Sequence, residues 1–239
     1  MLEQPNLREA LIKRQKIDRY SLWMYHSFEN YVGKRVLDIG TGTGNLVSFY
    51  ADKCDKVITT DIFPDQVSYA TERFKDLKNI ECMMFDICKD DINIFKKYNL
   101  DTITCINVLE HLEDDFEVLK RAKDIIVENG KVIILVPSFS WLYGTLDKSC
   151  GHYRRYDKKI LLKMARELNF TVIKDNYFNL FGIIPWYLKG KVFKKEKTFS
   201  ETLNEVNSKI YNIASVILEP LEKTLKIPFG MSEIIILQK

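Results

Sequence analysis

Apolar positions along this chain follow two rhythms. Short β-branched runs bounded by acids, asparagine or glycine read as strands, and longer stretches with apolar positions three or four apart read as helices. The strand runs begin at Arg35, Val57, Ile80, Leu100, Lys131, Thr171 and Ser232. Between them the pattern predicts helices over about 7–30, 45–53, 64–75 and 114–128, and from Asp157 to about Leu168. Asp114-Asp115 suits the positive end of the 114–128 helix, and Asn129-Gly130 is its stop. The run Lys131 to Pro137 is almost wholly apolar, as a central parallel strand buried on both faces would be. Further on, Phe199, Leu203, Val206, Ile210, Ile213, Ile217 and Leu221 recur at helical spacing and predict a long amphipathic helix. Alternation of this kind predicts an α/β fold whose mostly parallel sheet is covered by helices on both faces.

Composition narrows the class. At 239 residues the chain suits one α/β core with an added cap. With 36 basic against 33 acidic residues, the net charge of +3 is too balanced for a dedicated nucleic-acid binder, and none is expected as a partner. No apolar run precedes Arg8, so the chain is read as lacking a signal peptide and a membrane span and as cytoplasmic. Cys54, Cys82, Cys88, Cys105 and Cys150 form no C-x-x-C pair, which fits reduced thiols rather than disulfides or a zinc site.

The richest stretch is Arg35-Val-Leu-Asp-Ile-Gly-Thr-Gly-Thr-Gly-Asn45, a buried strand with a carboxylate near its end and three alternating glycines. Gly40, Gly42 and Gly44 allow a sharp bend and close approach of a ligand to the backbone. A dinucleotide turn would have G-x-G-x-x-G spacing, whereas this one is G-x-G-x-G. Asp38 would repel a pyrophosphate but attract a ligand bearing an ammonium and a sulfonium. Asp61 ends the next strand, seventeen positions past Gly44, and suits a carboxylate that accepts both hydroxyls of a ribose.

This D-x-G-x-G-x-G run resembles the first motif of the class I S-adenosylmethionine-dependent methyltransferases, and the later strands match that family in order. The resemblance implies a Rossmann-like seven-stranded sheet, mostly parallel with the last strand antiparallel, plus an N-terminal helix and a C-terminal helical cap. It implies one domain over 1–239, divided into the N-terminal helix (1–30), the cofactor core (34–137), a substrate loop and cap (138–230) and the last strand (231–239). S-adenosylmethionine would be the cofactor and S-adenosylhomocysteine the product. Asp38, Gly40, Thr41, Gly42 and Gly44 would hold its methionine part, and Asp61 with Ile62 its ribose. Asp86 would meet the adenine amino group and Ile87 the ring, while Asn107 and His111 would lie beside the cofactor after the fourth strand. A solvated turn is the plain alternative for Asp86, and a buried orienting role the alternative for His111.

After the fifth strand, Leu142-Tyr143-Gly144 leads to Asp147 and then to Gly151-His152-Tyr153-Arg154-Arg155-Tyr156. This arrangement resembles a bacterial branch of small-molecule methyltransferases discussed with surface-sugar and lipid-linked glycan pathways. Physically it gathers an imidazole, two guanidinium groups, a carboxylate and several phenols in one loop, which can recognise an anion and remove a proton. His152 is the candidate base, and Tyr143, Arg154, Arg155 and Tyr156 are the candidate acceptor contacts. The alternative for the arginines is pairing with Asp147 and helix ends to lock the loop. His26, on the first helix, is read as a surface or packing residue. The acceptor is read as a small or lipid/sugar-linked molecule receiving a methyl group on oxygen or nitrogen, a reaction that demands no metal.

The stretch Phe178 to Leu188, followed by Lys189, Lys191, Lys194, Lys195 and Lys197, is too short to span a bilayer but suits peripheral contact with an anionic surface. Its plainer reading is a cap helix packed over the site with a solvated basic turn. The amphipathic stripe after it fits a cover for the site or a dimer contact, so monomer and homodimer both stand. An RNA or protein methyltransferase is disfavoured, because Asn107-Val-Leu-Glu110 stands where an N/D-P-P-Y/F stretch would be. A non-catalytic cofactor-binding subunit is disfavoured by the intact Asp38, glycines and Asp61.

Overall fold

The computed structural model describes residues 18–193, 208–225 and 227–239. In chain order its main elements are α1 (Asp18–His26), β1 (Arg35–Ile39), β2 (Lys56–Asp61), α2 (Pro64–Arg73), β3 (Ile80–Met84), β4 (Thr102–Ile106) and α3 (Asp115–Ile125). They continue with β5 (Lys131–Pro137), α4 (Thr145–Ser149), α5 (Lys158–Glu167), β6 (Thr171–Phe178), α6 (Ile183–Tyr187), α7 (Ser208–Thr224) and β7 (Ser232–Gln238). The strands form one seven-stranded sheet in the order β3-β2-β1-β4-β5-β7-β6. β1 to β5 pair in parallel, and β7 runs antiparallel between β5 and β6. The Rossmann-like arrangement with an antiparallel last strand is therefore as the sequence pattern and the resemblance imply.

Successive side chains of the central strands enter opposite faces, as a two-residue period requires. Val132, Ile134 and Val136 of β5 join one core with α3 and α5, whose Val118, Leu119, Ala122, Leu161 and Ala165 cover that face. Ile133 and Leu135 join the other core, under Trp23, Met24, Tyr25 and Phe28 around α1 and Ala70 of α2. The β6 edge is more polar: it carries Lys174, Asp175 and Asn176 and a register shift between Val172 and Lys174, features that discourage further strand pairing.

Several predicted boundaries move. Residues 45–53 form two 3-10 turns, Val47–Phe49 and Ala51–Lys53, in place of an α-helix. Their buried residues Val47 and Tyr50, then Ala51 and Cys54, fall three apart, the spacing that lies on one side of a 3-10 turn. Asp114 caps α3 as expected by accepting from the Glu117 N–H at 3.0 Å. Asp157 precedes α5, yet its carboxylate accepts from the Ser140 N–H and hydroxyl at 3.1 and 2.5 Å, tying down the loop after β5 and not its own helix. Asn129 does turn left-handed after α3, with φ 62°. His26, read as a surface or packing residue, pairs with Glu219 of α7, as does Arg19, and so joins α1 to α7. Of the predicted features, the first part of the N-terminal helix and Lys194, Lys195, Lys197, Phe199, Leu203 and Val206 lie outside the described residues. Among the described residues no helix is long and apolar enough to cross a membrane.

One buried group makes stability depend on pH. Glu233 of β7 is 0% exposed, and burial, then the neighbouring Asp175 charge, push its carboxyl up to about 8. A carboxyl raised in the fold binds its proton more tightly there than in the unfolded chain. Its stabilising contribution is complete below the unfolded value near about 4.3 and is lost as pH rises toward the folded value. Glu233→Gln is expected to raise Tm by several degrees at about pH 9 and to change it far less at about pH 5, read by thermal melts. An equal shift at both values would remove Glu233 from this account.

Candidate active site

The carboxyl end of β1 carries Asp38 into the middle of the sheet edge, between β2 and β4. Thr104 of β4 donates to its Oδ1 at 2.7 Å, and Thr59 of β2 donates to Oδ2 at 2.9 Å. The Tyr50 hydroxyl lies 3.5 Å from Oδ1. Burial raises the Asp38 pKa; hydroxyls of Thr104, Thr59 and Thr41 draw it back only in part, and the charge of Asp61 adds to the rise. The carboxylate is thus fixed, buried and compensated by neutral donors only.

The chain then turns over this carboxylate. Gly40, at φ 75°, packs so closely on the loop after β4 that a Cβ would stand 2.4 Å from Val108 Cγ2. At Gly44, φ 72°, a Cβ would strike the Phe74 ring at 2.5 Å. Backbone N–H groups of Gly40 and Thr41 both donate to Thr60 O, and the Gly42 N–H donates to Asp61 Oδ2 at 2.9 Å. Phe63 N–H holds the other Asp61 oxygen at 3.0 Å. Burial outweighs these bonds and raises the Asp61 pKa. Each oxygen keeps lone-pair capacity for a further donor.

Beside Asp61 lie the residues expected near the adenine and one that was not. Ile62 is 51% exposed, and Met84, whose Cα pairs with that of Asp61 in the β2/β3 register, is 62% exposed. These two form an apolar rim at the sheet edge, and Met84 was not singled out by sequence. Ile87, expected against the ring, is 4% exposed and belongs to the core, because β3 ends at Met84 and the chain turns inward. Asp86 sits in that turn, accepting from the Cys88 N–H at 2.9 Å and pairing with Lys89 at 2.9 Å. Burial opposes its ionisation, but Lys89 and the Cys88 N–H outweigh burial and hold its pKa below the usual value.

The loops after β4 and β5 meet over the same edge. Asn107 turns left-handed, φ 55°, and its N–H donates to Leu135 O at 2.8 Å. The following 3-10 turn, Leu109–His111, brings the His111 ring to 4.7 Å, centroid to centroid, from His152. Tyr153 N–H donates to Glu110 O at 2.7 Å and clamps the two loops together. Burial, then the neighbouring His152, lower the His111 pKa to about 4, so its ring is neutral near pH 7.

Asp147, on the short helix α4, organises the loop. Its Oδ1 lies 3.1 Å from His152 Nδ1 and accepts from Arg155 Nε at 2.7 Å, while Oδ2 accepts from the Gly144 N–H at 2.9 Å and Trp186 Nε1 at 3.1 Å. Burial opposes ionisation of Asp147, but His152, Arg155 and Gly144 prevail and hold its pKa low. The Arg155 and Asp147 side chains are both 0% exposed, so Arg155, expected to reach the acceptor, is instead the buried counter-ion of the loop. Its Nη1 also donates to Ser138 O at 3.0 Å, and its guanidinium lies 4.9 Å from the Trp186 ring. Tyr156 is corrected likewise: it is buried, donates to Asp115 Oδ2 at 2.6 Å and packs in the core. Arg154 keeps some exposure but pairs with Asp115 at 2.9 Å and donates to Glu113 O at 2.8 Å. The Tyr143 hydroxyl donates to His152 O at 2.7 Å.

Comparison with known proteins bears on the family and the fold. The chain matches the methyltransferase domain family over residues 8–175. It is similar to an uncharacterized protein of Methanocaldococcus jannaschii, 26% identical over 184 residues, 75% of each chain. It is also similar to the ubiquinone biosynthesis O-methyltransferase of Idiomarina loihiensis, 25% identical over 180 residues, 69% of this chain and 70% of that one. Among solved structures, a SAM dependent methyltransferase from Archaeoglobus fulgidus has the same fold, with TM-score 0.59 and 22% identity over 92% of this chain and 94% of that one.

Removing one member of a buried ion pair strands the other. Asp147→Ala is therefore expected to lower stability by about 3–5 kcal/mol, measured by urea denaturation. A loss below about 1 kcal/mol, the range of exposed pairs, would show that Asp147 does not hold this loop.

Proposed function

The chain belongs to the methyltransferase domain family and is a methyltransferase; on that premise we propose that it transfers a methyl group from S-adenosylmethionine to an oxygen or nitrogen of a small-molecule or lipid/sugar-linked acceptor. The observation that carries this reading is the pair of buried carboxylates, Asp38 and Asp61, on either side of the glycine turn. Burial raises both pKa values. A ligand with an ammonium and a sulfonium supplies the positive charge that neutral donors do not. Asp61 receives the ribose hydroxyls, Gly40 to Gly44 admit the methionine part, and Ile62 with Met84 flank the adenine. Asn107 and His111 lie on the loop that follows.

S-adenosylmethionine supplies an electrophilic methyl group when bound, so the chain's own task is to align the acceptor and take up its proton. His152 suits that role. Asp147 fixes the ring through Nδ1, which leaves Nε2 for the acceptor, and the side chain is 10% exposed. With Arg155 and Tyr156 committed to the interior, Arg154 and Tyr143 remain the acceptor-side candidates. The Leu142 to Tyr156 loop and its likeness to the surface-glycan branch support a polar, anionic or glycosylated acceptor.

An apolar band supports the lipid-linked part of that class. Phe181, Ile184, Val192 and Phe193 are more than half exposed around α6, beside Lys189 and Lys191. Such a band can rest on an anionic lipid surface, and Trp186 joins it to Asp147.

Calorimetric titration with S-adenosylmethionine, S-adenosylhomocysteine and NAD tests the cofactor. Micromolar binding of the first two, weakened at least about tenfold in Asp61→Ala, is expected, that factor corresponding to about 1.4 kcal/mol. Binding of NAD alone would overturn the assignment. In a turnover assay reading S-adenosylhomocysteine release, His152→Ala is expected to cut the rate by about 10²–10⁴ with cofactor affinity retained; an unchanged rate would remove His152 from the chemistry. Separately, the protein is expected to float with anionic vesicles and to stay down with neutral ones, and failure to float with either would count against membrane contact.

A further inference from the structure

Behind the proton-accepting end of this cleft, three side chains converge that methyl transfer by itself does not require. One donor atom from each of Glu110, His111 and His152 lies within 4.8 Å of the other two. Glu110 is buried, and both imidazoles are partly buried. Two imidazoles with one carboxylate are a donor set suited to a divalent transition cation, with further coordination positions left open.

The surrounding bonds orient the donors. His152 is held through Nδ1 by Asp147, itself fixed by Arg155, the Gly144 N–H and Trp186. A ring bonded to a carboxylate through one nitrogen presents the other to a metal, the usual outer-shell arrangement of a metal-bound histidine. The His111 ring stands edge-on to His152, centroids 4.7 Å apart, and offers a nitrogen to the same point. Glu110 and His111 come from one 3-10 turn, and the Tyr153 N–H to Glu110 O bond sets the His152 loop against that turn. The donors are thus prepositioned from two segments about forty residues apart in sequence. Metal–ligand bonds of about 2.0–2.2 Å need donors about 3–3.5 Å apart, which small side-chain rotations supply.

We propose that Glu110, His111 and His152 bind one divalent transition cation, whose open positions take an oxygen of the acceptor. The first part stands on the three side chains alone; the second rests on the methyl-transfer reading of the cleft. In the loaded state His152 is a ligand through Nε2. The cation then takes over the acidification of a coordinated acceptor hydroxyl, whose proton passes to solvent. In the empty state the same ring is the base.

The test is calorimetric titration of chelator-treated full-length protein with Co²⁺, Mn²⁺ and Zn²⁺, with the Co²⁺ visible spectrum as a second readout. One equivalent of at least one cation is expected to bind with micromolar affinity, weakened at least tenfold in both His111→Ala and His152→Ala. Co²⁺ absorption bands should weaken in parallel. Circular dichroism checks that each variant is folded, and His111→Gln and His152→Gln replace any that is not. No binding by the wild-type chain, or binding unchanged in the histidine variants, overturns the proposal. S-adenosylmethionine titrated into the same wild-type sample separates the two readings: cation binding without cofactor binding sustains the site and sinks the methyl-transfer reading. Cofactor binding without cation binding does the reverse.

Discussion

Everything at the carboxyl end of β1 depends on the carboxylate of Asp38, held between the hydroxyls of Thr59 and Thr104 on the strands at either side. β1 is flanked by β2 and β4, so a side chain at its carboxyl end is buried by geometry before any ligand is present. A charge there needs partners, and the two threonines supply them in strand register: Asp38 pairs with Thr59 in one ladder and with Thr104 in the other. The glycine turn is then built directly above a fixed negative centre. Gly40 closes against Val108, and the Gly42 N–H reaches across to Asp61. Moving any of these four segments would disturb the others, which gives the turn its rigidity without a helix immediately after it.

The second half of the edge is organised in the same manner by a different carboxylate. Asp147 gathers an imidazole, a guanidinium, an indole and a backbone N–H. It thereby ties the loop after β5 to α6 and, through Arg155, to Ser138 at the end of β5. The cap and the loop that carries His152 are held together here, with Thr145 also donating to Gly190 O at 3.2 Å. Phe181, Ile184, Val192 and Phe193 on the other side of the cap are more than half exposed.

How much of this was legible in sequence depended on where each decision is made physically. The central strands were readable almost to the residue, because burial on both faces demands continuous apolar runs such as Val132 to Val136. Asp38, the glycines and Asp61 were readable because backbone curvature and charge leave few substitutes. Thr59 and Thr104 were not, since threonine in a strand is ordinary β-propensity and its partner sits on another strand. Arg155 and Tyr156 were placed on the wrong side of the loop for a similar reason. A loop arginine or tyrosine can face either way, and here the outcome was set by Asp147 and by Asp115, the latter 41 positions from Tyr156. The 45–53 segment has apolar residues compatible with an α-helix, and the inward packing of Val47 and Tyr50 three apart decided for 3-10 turns.

The two carboxylate centres differ in a way that separates ligand recognition from structure. Asp147 has a cationic neighbour inside the protein, and its pKa is lowered although it is deeply buried. Its charge is already compensated by Arg155 and His152. Asp38 and Asp61 have only hydroxyl and backbone N–H donors, and their pKa values are raised. Ionised, they are compensated incompletely, and a cationic ligand is the one addition that improves both at once. Asp147 is thus compensated from within the protein, whereas Asp38 and Asp61 are not. Arg155 is structural for that reason, and among the described residues no arginine or lysine is paired with Asp38 or Asp61.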